Sequence, residues 1–146
     1  MLPTPTLDAV VAGPVPTAAP AAPQYKYGAP VVTGPPEGRE YDNNRGTVPI
    51  LTWQPVADLA PNEYYHITFR VKRQNGEIVR WIGMDTASTQ LIVTEQDAGF
   101  MRTSPQMGEV SWFVVVLSQP GQSWAQGKDG VPISGQSETH VFWMKP

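Results

Sequence analysis

Two histidines are the residues of this chain best suited to chemistry. His66 and His140 stand on segments that alternate like β-strands, and we expect both segments to lie in one sheet. A pair of imidazoles could bind a metal ion or form a pH-sensitive patch. A metal site also needs a third ligand with supporting contacts of its own. We therefore interpret both histidines as ordinary outward-facing strand residues and predict no metal site.

Acidic residues could instead bind calcium, because carboxylates and backbone carbonyls are enough to hold that ion. They stand singly along the chain except in two predicted loops, one with Glu37, Glu40 and Asp42 and the other with Glu95 and Asp97. Neither loop has the spaced Asp-x-Asp-x-Asp pattern of a calcium-binding loop. We interpret these acids as solvated loop charges and predict no cofactor.

The sequence contains no recognisable catalytic motif. There is no Gly-x-Ser-x-Gly, no phosphate-binding loop and no dinucleotide fingerprint. The lack of cysteine excludes disulfides, thiol catalysis and zinc–thiolate sites. The formal net charge of -3 gives no reason to expect nucleic acid, which would require a basic face. We expect a protein that is not an enzyme.

The composition of the chain favours β-structure with many turns. Among 146 residues there are 16 prolines and 13 glycines, and no segment has sustained helical periodicity. No stretch approaches the roughly 20 apolar residues that a membrane-spanning helix requires. The start of the chain lacks the basic and leucine-rich regions of a secretion signal. If the native protein is exported, we expect its leader and any anchor to lie outside this chain.

The clearest structural signal is a strand that begins at Glu63 and ends at Asn75-Gly76. Apolar side chains occupy every second position of this strand: Tyr65, Ile67, Phe69 and Val71. A period of two is typical of a half-buried strand. Asn-Gly is a strong hairpin signal because both residues tolerate the positive φ of a tight turn. We therefore expect residues 77–86 to return as the partner strand of a hairpin.

Similar signals recur along the chain at the spacing of a sandwich. Seven strands are predicted, over residues 27–33, 47–54, 63–74, 77–86, 89–94, 109–118 and a last segment from 133 or 138 to 144. Residues 41–46 are predicted as loop, and the connection 95–108 could hold one helical turn. Strands without intervening helices favour antiparallel sheets. The sequence thus predicts an all-β protein with a seven-stranded antiparallel β-sandwich.

Three motifs in this order resemble the fibronectin type III family, within the wider immunoglobulin-like group. They are Leu51-Thr52-Trp53-Gln54-Pro55-Val56 in the second strand, Tyr65, Ile67 and Phe69 in the third, and Trp112, Val114 and Val116 in the sixth. Trp112 stands where that family usually has a tyrosine. The resemblance covers residues 25–146. It implies a spacer or binding module outside the cell, as in bacterial cell-surface and extracellular proteins.

Residues 1–24 differ in composition from the rest of the chain. They form a Pro/Ala/Thr-rich segment, and its prolines favour an extended polyproline II conformation. We predict a linker or stalk before the sandwich. The alternative is a docking arm, whose apolar contacts would be Leu7, Val10, Val11 and Val15.

Apolar residues on both faces of the sixth strand predict an interaction surface. A sandwich strand needs only one buried face, yet Phe113, Val115 and Leu117 lie opposite the residues expected in the core. In the usual topology the third strand lies beside them and adds Tyr64 and His66. A contiguous exposed apolar patch of this kind marks an interaction site. We expect the N-terminal segment of the chain or a neighbouring domain to cover it, and the alternative is a free ligand-binding face.

Trp124 is a further candidate for this surface. It lies in the connection 118–132, which is rich in Gly, Gln and Ser, at an end where such folds display binding loops. A loop tryptophan among amides could stack on a sugar ring. It could equally fold back over the core as a lid, because aromatic surface prefers burial.

Three functional hypotheses follow from these patterns. The first is a non-catalytic extracellular or cell-envelope module that spaces, assembles or presents parts of a surface protein or complex, with a protein partner or neighbouring domain. The second is a module that binds polysaccharide or cell wall through its aromatic residues. The third is a subunit of a larger assembly, held by its N-terminal arm.

Overall fold

The computed structural model describes residues 24–42, 47–103, 107–119 and 130–145. Within these ranges the chain forms two β-sheets and one short helix. The all-β class predicted from the sequence is therefore confirmed. Residues 1–23 of the predicted linker, and Trp124, lie outside the described residues.

The smaller sheet has three strands. They are β1 (Val32–Gly34), β3 (Ile50–Trp53) and β6 (Gln90–Ile92), and β3 lies in the middle with antiparallel partners on both sides. The larger sheet contains β2 (Arg39–Tyr41), β4 (Glu63–Lys72), β5 (Ile78–Thr86), β7 (Gly108–Ser118), β8 (Val131–Pro132) and β9 (His140–Met144). Its order is β2-β9-β7-β4-β5, and β8 also pairs with β7.

The β4–β5 hairpin follows the pattern read from the sequence. Gly76 has a φ of 89°, and its N–H donates to the carbonyl of Arg73 over 2.9 Å. Positive φ is the conformation for which glycine carries no steric cost. The two strands pair from Tyr65 opposite Thr86 to Lys72 opposite Ile78, with one irregularity at Val71/Lys72.

The core lies between the two sheets and is filled by alternate residues of the long strands. Tyr65, Ile67, Phe69 and Val71 of β4 are all buried, as predicted. The largest fully buried side chains across the core include Trp112, Tyr65, Phe69, Phe142, Leu51 and Ile67. Burial of this many apolar side chains is the main contribution to folding.

Strand β2 was not predicted, and its last residue, Tyr41, is the first residue of the segment 41–46 that was predicted as loop. It pairs in parallel with β9, so the large sheet is mixed rather than antiparallel throughout. Tyr41 is 3% exposed, and its ring packs edge-to-face on Phe142 with centroids 5.7 Å apart. The chain reaches this position because it leaves the small sheet after β1, at the cis peptide Gly34–Pro35. Burial of the Tyr41 ring therefore stabilises this strand. A segment of only three residues, two of them charged, gives no strand signal in the sequence.

The last strand, β9, begins at His140, later than predicted, and β8 lies in the segment 118–132 that was predicted as a connection. Between them, serine hydroxyls replace the backbone partners of β7. The N–H of Val116 donates to Ser134 Oγ over 2.8 Å, and that of Val114 donates to Ser137 Oγ over 2.9 Å. The irregular segment therefore still supplies hydrogen-bond acceptors for the backbone N–H groups of β7, and buried backbone groups require such partners.

Helix α1 (Glu95–Met101) is longer than the single turn predicted for this connection. It begins with a capping box, in which the Thr94 hydroxyl accepts from the N–H of Asp97 while Asp97 accepts from the N–H of Thr94. Ala98 and Met101 are fully buried. The helix is thus fixed by its cap and by two contacts with the core.

Candidate interaction surface

The structure places most of the predicted surface residues together on the outer face of the large sheet. Phe113, Val115 and Leu117 of β7 lie opposite Thr68, His66 and Tyr64 of β4, in that order. Their side chains point away from the small sheet, because the alternate residues of both strands fill the core. The outer face continues on β9 with Val141 and Trp143, which are half-buried.

Less of this row is exposed than the sequence predicts. Tyr64 is 2% exposed and Val115 is 7% exposed, while Phe113 and Leu117 are half-buried. Part of the cause is Gly130, which packs directly on the Tyr64 hydroxyl and on Leu117. A Cβ at position 130 would lie 2.7 Å from the Leu117 Cβ. The accessible apolar surface is therefore centred on Phe113 and the neighbouring residues of β9, and the Tyr64 ring has little free area.

His66 lies on the outer face and is hydrogen bonded across the sheet. Its Nδ1 is 2.5 Å from Asp85 Oδ1, and the two residues are opposite each other in the β4–β5 pairing. Gly83 leaves room for the ring, since a Cβ there would lie 2.9 Å from His66 Cε1. Asp85 and Gly83 therefore fix the orientation of the imidazole.

His140 differs from the prediction of an outward residue. It lies opposite Trp112 on the core side of the sheet, and the two ring centroids are 5.9 Å apart. Its Nδ1 is 3.3 Å from Glu37 Oε1. The two histidines thus share a sheet but lie on opposite faces. In the part of the chain that the structure describes, no group of three His, Cys, Asp or Glu residues could hold a metal ion.

Several acids interpreted as solvated loop charges have structural contacts. Glu37 accepts the N–H of Val141 over 2.9 Å, and Asp97 belongs to the helix cap. Glu40 stands in a strand rather than a loop, and its carboxylate is 3.4 Å from Lys145 Nζ.

One carboxylate is buried at the start of β4. Glu63 is 4% exposed and accepts hydrogen bonds from Lys26 Nζ at 2.6 Å, Tyr27 Oη at 2.7 Å and the Ala60 N–H at 2.9 Å. Burial acts to raise the pKa of Glu63, but the three donors together outweigh it and hold the pKa below its ordinary value. The hydrogen bond to Glu63 raises the pKa of Tyr27. This cluster ties the segment before β1 to the large sheet.

Trp81 is the most exposed large apolar residue described in the chain, at 61%. It lies on the outer face of β5, opposite Arg70, whose guanidinium carbon is 5.7 Å from the centre of the indole. Such a cation–π contact orients the ring without covering it. Sequence reasoning missed this site. Its signal was the alternation in β5, where Ile82 and Met84 face inward and leave Trp81 outside.

A cleft of about 530 Å³ lies along the edge of β5, between that strand and α1. Its apolar lining comes from Trp81, Ile82, Met84 and Phe100. Arg80 closes one end by donating a hydrogen bond to the carbonyl of Phe100 over 2.7 Å. Phe100 itself is 52% exposed.

Of the residues described, no helix is long and apolar enough to cross a membrane. No protein-family model, no curated protein and no solved structure matches this chain.

Proposed function

We propose that residues 25–146 are a non-catalytic, fibronectin type III-like interaction module of a bacterial cell-surface or extracellular protein. Its role is to space, assemble or present other parts of that protein or of its complex. The proposal rests on the order of the strands and on the character of one sheet face.

The order of the strands supports the family resemblance. In the usual topology of that family the third, sixth and seventh strands lie side by side. Here β4, β7 and β9 occupy those positions and are adjacent in the large sheet. Trp53 and Trp112, two aromatic residues of the matching motifs, are both buried in the core.

The outer face of the large sheet is the observation that carries the functional part of the proposal. The small sheet covers the inner face, and Phe113, Leu117, Val141 and Trp143 therefore present apolar surface on the opposite side. Soluble proteins rarely leave such surface without a partner. A protein surface of matching apolar character is the ligand that this face would bind.

Site-specific photo-cross-linking in the source cells tests this proposal. A photoreactive phenylalanine analogue replaces Phe113 in one variant and Ile50 in a control. Ile50 is 47% exposed on the small sheet and provides a matched apolar position away from the proposed face. We expect a discrete cross-linked envelope protein, or an intramolecular cross-link to a neighbouring domain, from position 113 only. Equal products from both positions, or none from position 113, would contradict the proposal.

A second candidate function, polysaccharide binding, is favoured by the exposed indole of Trp81. Flat aromatic rings stack on sugars, and the contact with Arg70 orients this ring without covering it. Retention on peptidoglycan and common polysaccharides that is lost in Trp81→Ala or Trp124→Ala would support this function. A wild-type chain that no polymer retains would leave the protein-binding proposal in place.

A further inference from the structure

Arg70 is a half-buried cation on the outer face of the large sheet. Its guanidinium carbon lies 5.7 Å from the centre of the Trp81 ring, across the β4–β5 pairing. Its Nε is buried and has no hydrogen-bond partner among the described residues. A buried donor without an acceptor costs free energy, and the cost is larger for a charged group. The described part of the chain therefore does not compensate the charge that it holds at this position.

The other charged residues of this face have a compensating neighbour. Among the residues that the structure describes there are three such pairs: Lys72 opposite Glu109, Asp85 hydrogen bonded to His66, and Glu40 with its carboxylate 3.4 Å from Lys145 Nζ. The face therefore has a local excess of positive charge at Arg70, and an anionic group on a partner would be complementary to it.

The surroundings of Arg70 resemble the centre of a protein interface. Ser111 lies opposite Arg70 on β7 and is 3% exposed, but its Oγ also has no partner in the described part of the chain and so does not accept from Arg70. Val141 follows in the same row on β9, and Phe113 is the diagonal neighbour on β7. Arginine and tryptophan are enriched among the residues that dominate protein–protein binding energies. Arg70 and the exposed Trp81 ring supply both types side by side.

We propose that the partner of this face is a protein that places an aspartate or glutamate carboxylate on Arg70. This inference rests on the proposed function and names the chemistry of the partner. A guanidinium can bind a carboxylate through two parallel hydrogen bonds. The contact with Trp81 restricts the guanidinium before the partner binds. Apolar neighbours on both partners would then exclude water from the ion pair and strengthen it.

An acidic side chain fits this site better than an acidic sugar does. A sugar carries hydroxyl groups beside its carboxylate, and each of them needs a hydrogen-bond partner when it is buried. Three large neighbours on β7 and β9 are apolar: Phe113, Val141 and Trp143. The hydroxyl groups nearest in the pairing are those of Thr68 and Ser111, and Ser111 is covered. One cation among apolar side chains matches one carboxylate within an apolar peptide segment.

Selection of peptides by the full chain tests the chemistry of the ligand. The probe is a library of random heptapeptides displayed on phage, selected separately on the wild type, on Arg70→Gln and on Arg73→Gln. Arg73 is the matched control, because it lies between β4 and β5, is 49% exposed and pairs with Glu77. We expect the wild type and Arg73→Gln to enrich peptides with Asp or Glu flanked by apolar residues. Arg70→Gln should not enrich them.

A double-mutant cycle with one selected peptide measures the contact itself. The acidic residue of the peptide is replaced with its amide, and both peptides are titrated into wild type and Arg70→Gln by calorimetry. We expect Arg70→Gln to weaken binding of the acidic peptide by about 30-fold or more, because one partner of a desolvated charge pair is lost. Binding of the amide peptide should change little. Arg70→Lys keeps the charge without the planar fork, and its loss should be intermediate.

Four results would overturn this inference. They are selected peptides without acidic residues, equal enrichment by Arg70→Gln and Arg73→Gln, additive losses in the cycle, and retention on polygalacturonate, a carboxylated polysaccharide, that Arg70→Gln abolishes. The cross-link from position 113 separates this inference from the proposed function. A cross-link that persists in Arg70→Gln would refute the carboxylate contact alone, whereas a wild type without any cross-link from position 113 would refute the proposed function.

Discussion

Replacing Phe69 with alanine is expected to lower the free energy of unfolding by about 3–5 kcal/mol, the range measured for large aromatic truncations in cores. Phe69 is fully buried and lies between Trp112 of β7 and Ile82 of β5 in the large sheet. Alanine would leave a cavity that three paired strands cannot close. The loss is a large fraction of the roughly 5–15 kcal/mol that stabilises an ordinary domain.

Urea unfolding followed by far-UV circular dichroism measures this loss. Trp81→Ala is the matched control, since it truncates an aromatic residue of the same sheet that is 61% exposed. Its expected effect is within about 0.5 kcal/mol, as for other surface substitutions. Similar losses for the two variants would mean that the two faces of the sheet are assigned incorrectly.

Replacing Glu63 with glutamine is expected to cost roughly 2 kcal/mol at neutral pH, because hydrogen bonds to a charged acceptor are stronger than neutral ones. The carboxylate is 4% exposed and accepts from Tyr27 and from the Ala60 N–H in addition to Lys26. An amide keeps the shape but loses the charge and one acceptor oxygen. Lys26 would lose its acceptor, because it donates to one carboxylate oxygen while Tyr27 and Ala60 share the other, which the amide keeps.

The pH dependence of this loss follows from the lowered pKa of Glu63. Because the folded carboxyl has a lower pKa than the unfolded one, protons bind first to the unfolded chain. The contribution is complete above the ordinary glutamate pKa of about 4.5, and it is lost as the pH falls through the lower folded value. The difference in stability between wild type and Glu63→Gln should therefore shrink on acidification.

Thermal or urea unfolding of both proteins across this acidic range isolates Glu63 from the other carboxyls. Glu77→Gln is the control, because Glu77 is 57% exposed and pairs with Arg73 on the surface. Surface ion pairs contribute only about 0–1 kcal/mol. A difference for Glu63→Gln that stays constant with pH would contradict the account of this cluster.

The long strands could be predicted because their signals are local. Alternation from Tyr65 to Val71, followed by Asn75-Gly76, defines the β4–β5 hairpin within the sequence itself. The burial of Trp53 and Trp112 was also predictable from similar alternation. Each of these features depends on neighbours only one or two residues away.

Short strands and breaks could not be predicted, because distant residues determine them. Strand β2 forms because Tyr41 meets Phe142, which is far away in the sequence. Between β8 and β9, two serine hydroxyls replace backbone carbonyls as acceptors for the N–H groups of β7. Contacts of these two kinds produce no periodic pattern in the sequence.

Exposure on the outer face depends on the same long-range packing. The sequence assigns Tyr64 and Leu117 to this face correctly, but Gly130 packs on both and reduces their accessible area. Trp81 is exposed because β5 lies at the edge of the sheet, and strand order is a property of the topology. The candidate surface was therefore predictable as a face but not as an accessible area.

We propose that this chain is a module of a cell-surface or extracellular protein. Fractionation of the source cells tests it most directly, with the intact mass of the native protein and protease treatment of whole cells. The account predicts that the protein is in the envelope or extracellular fraction and that protease added outside intact cells cleaves it. A protease-protected protein found only in the cytosolic fraction would contradict the surface assignment. The all-β fold would not be affected by that result.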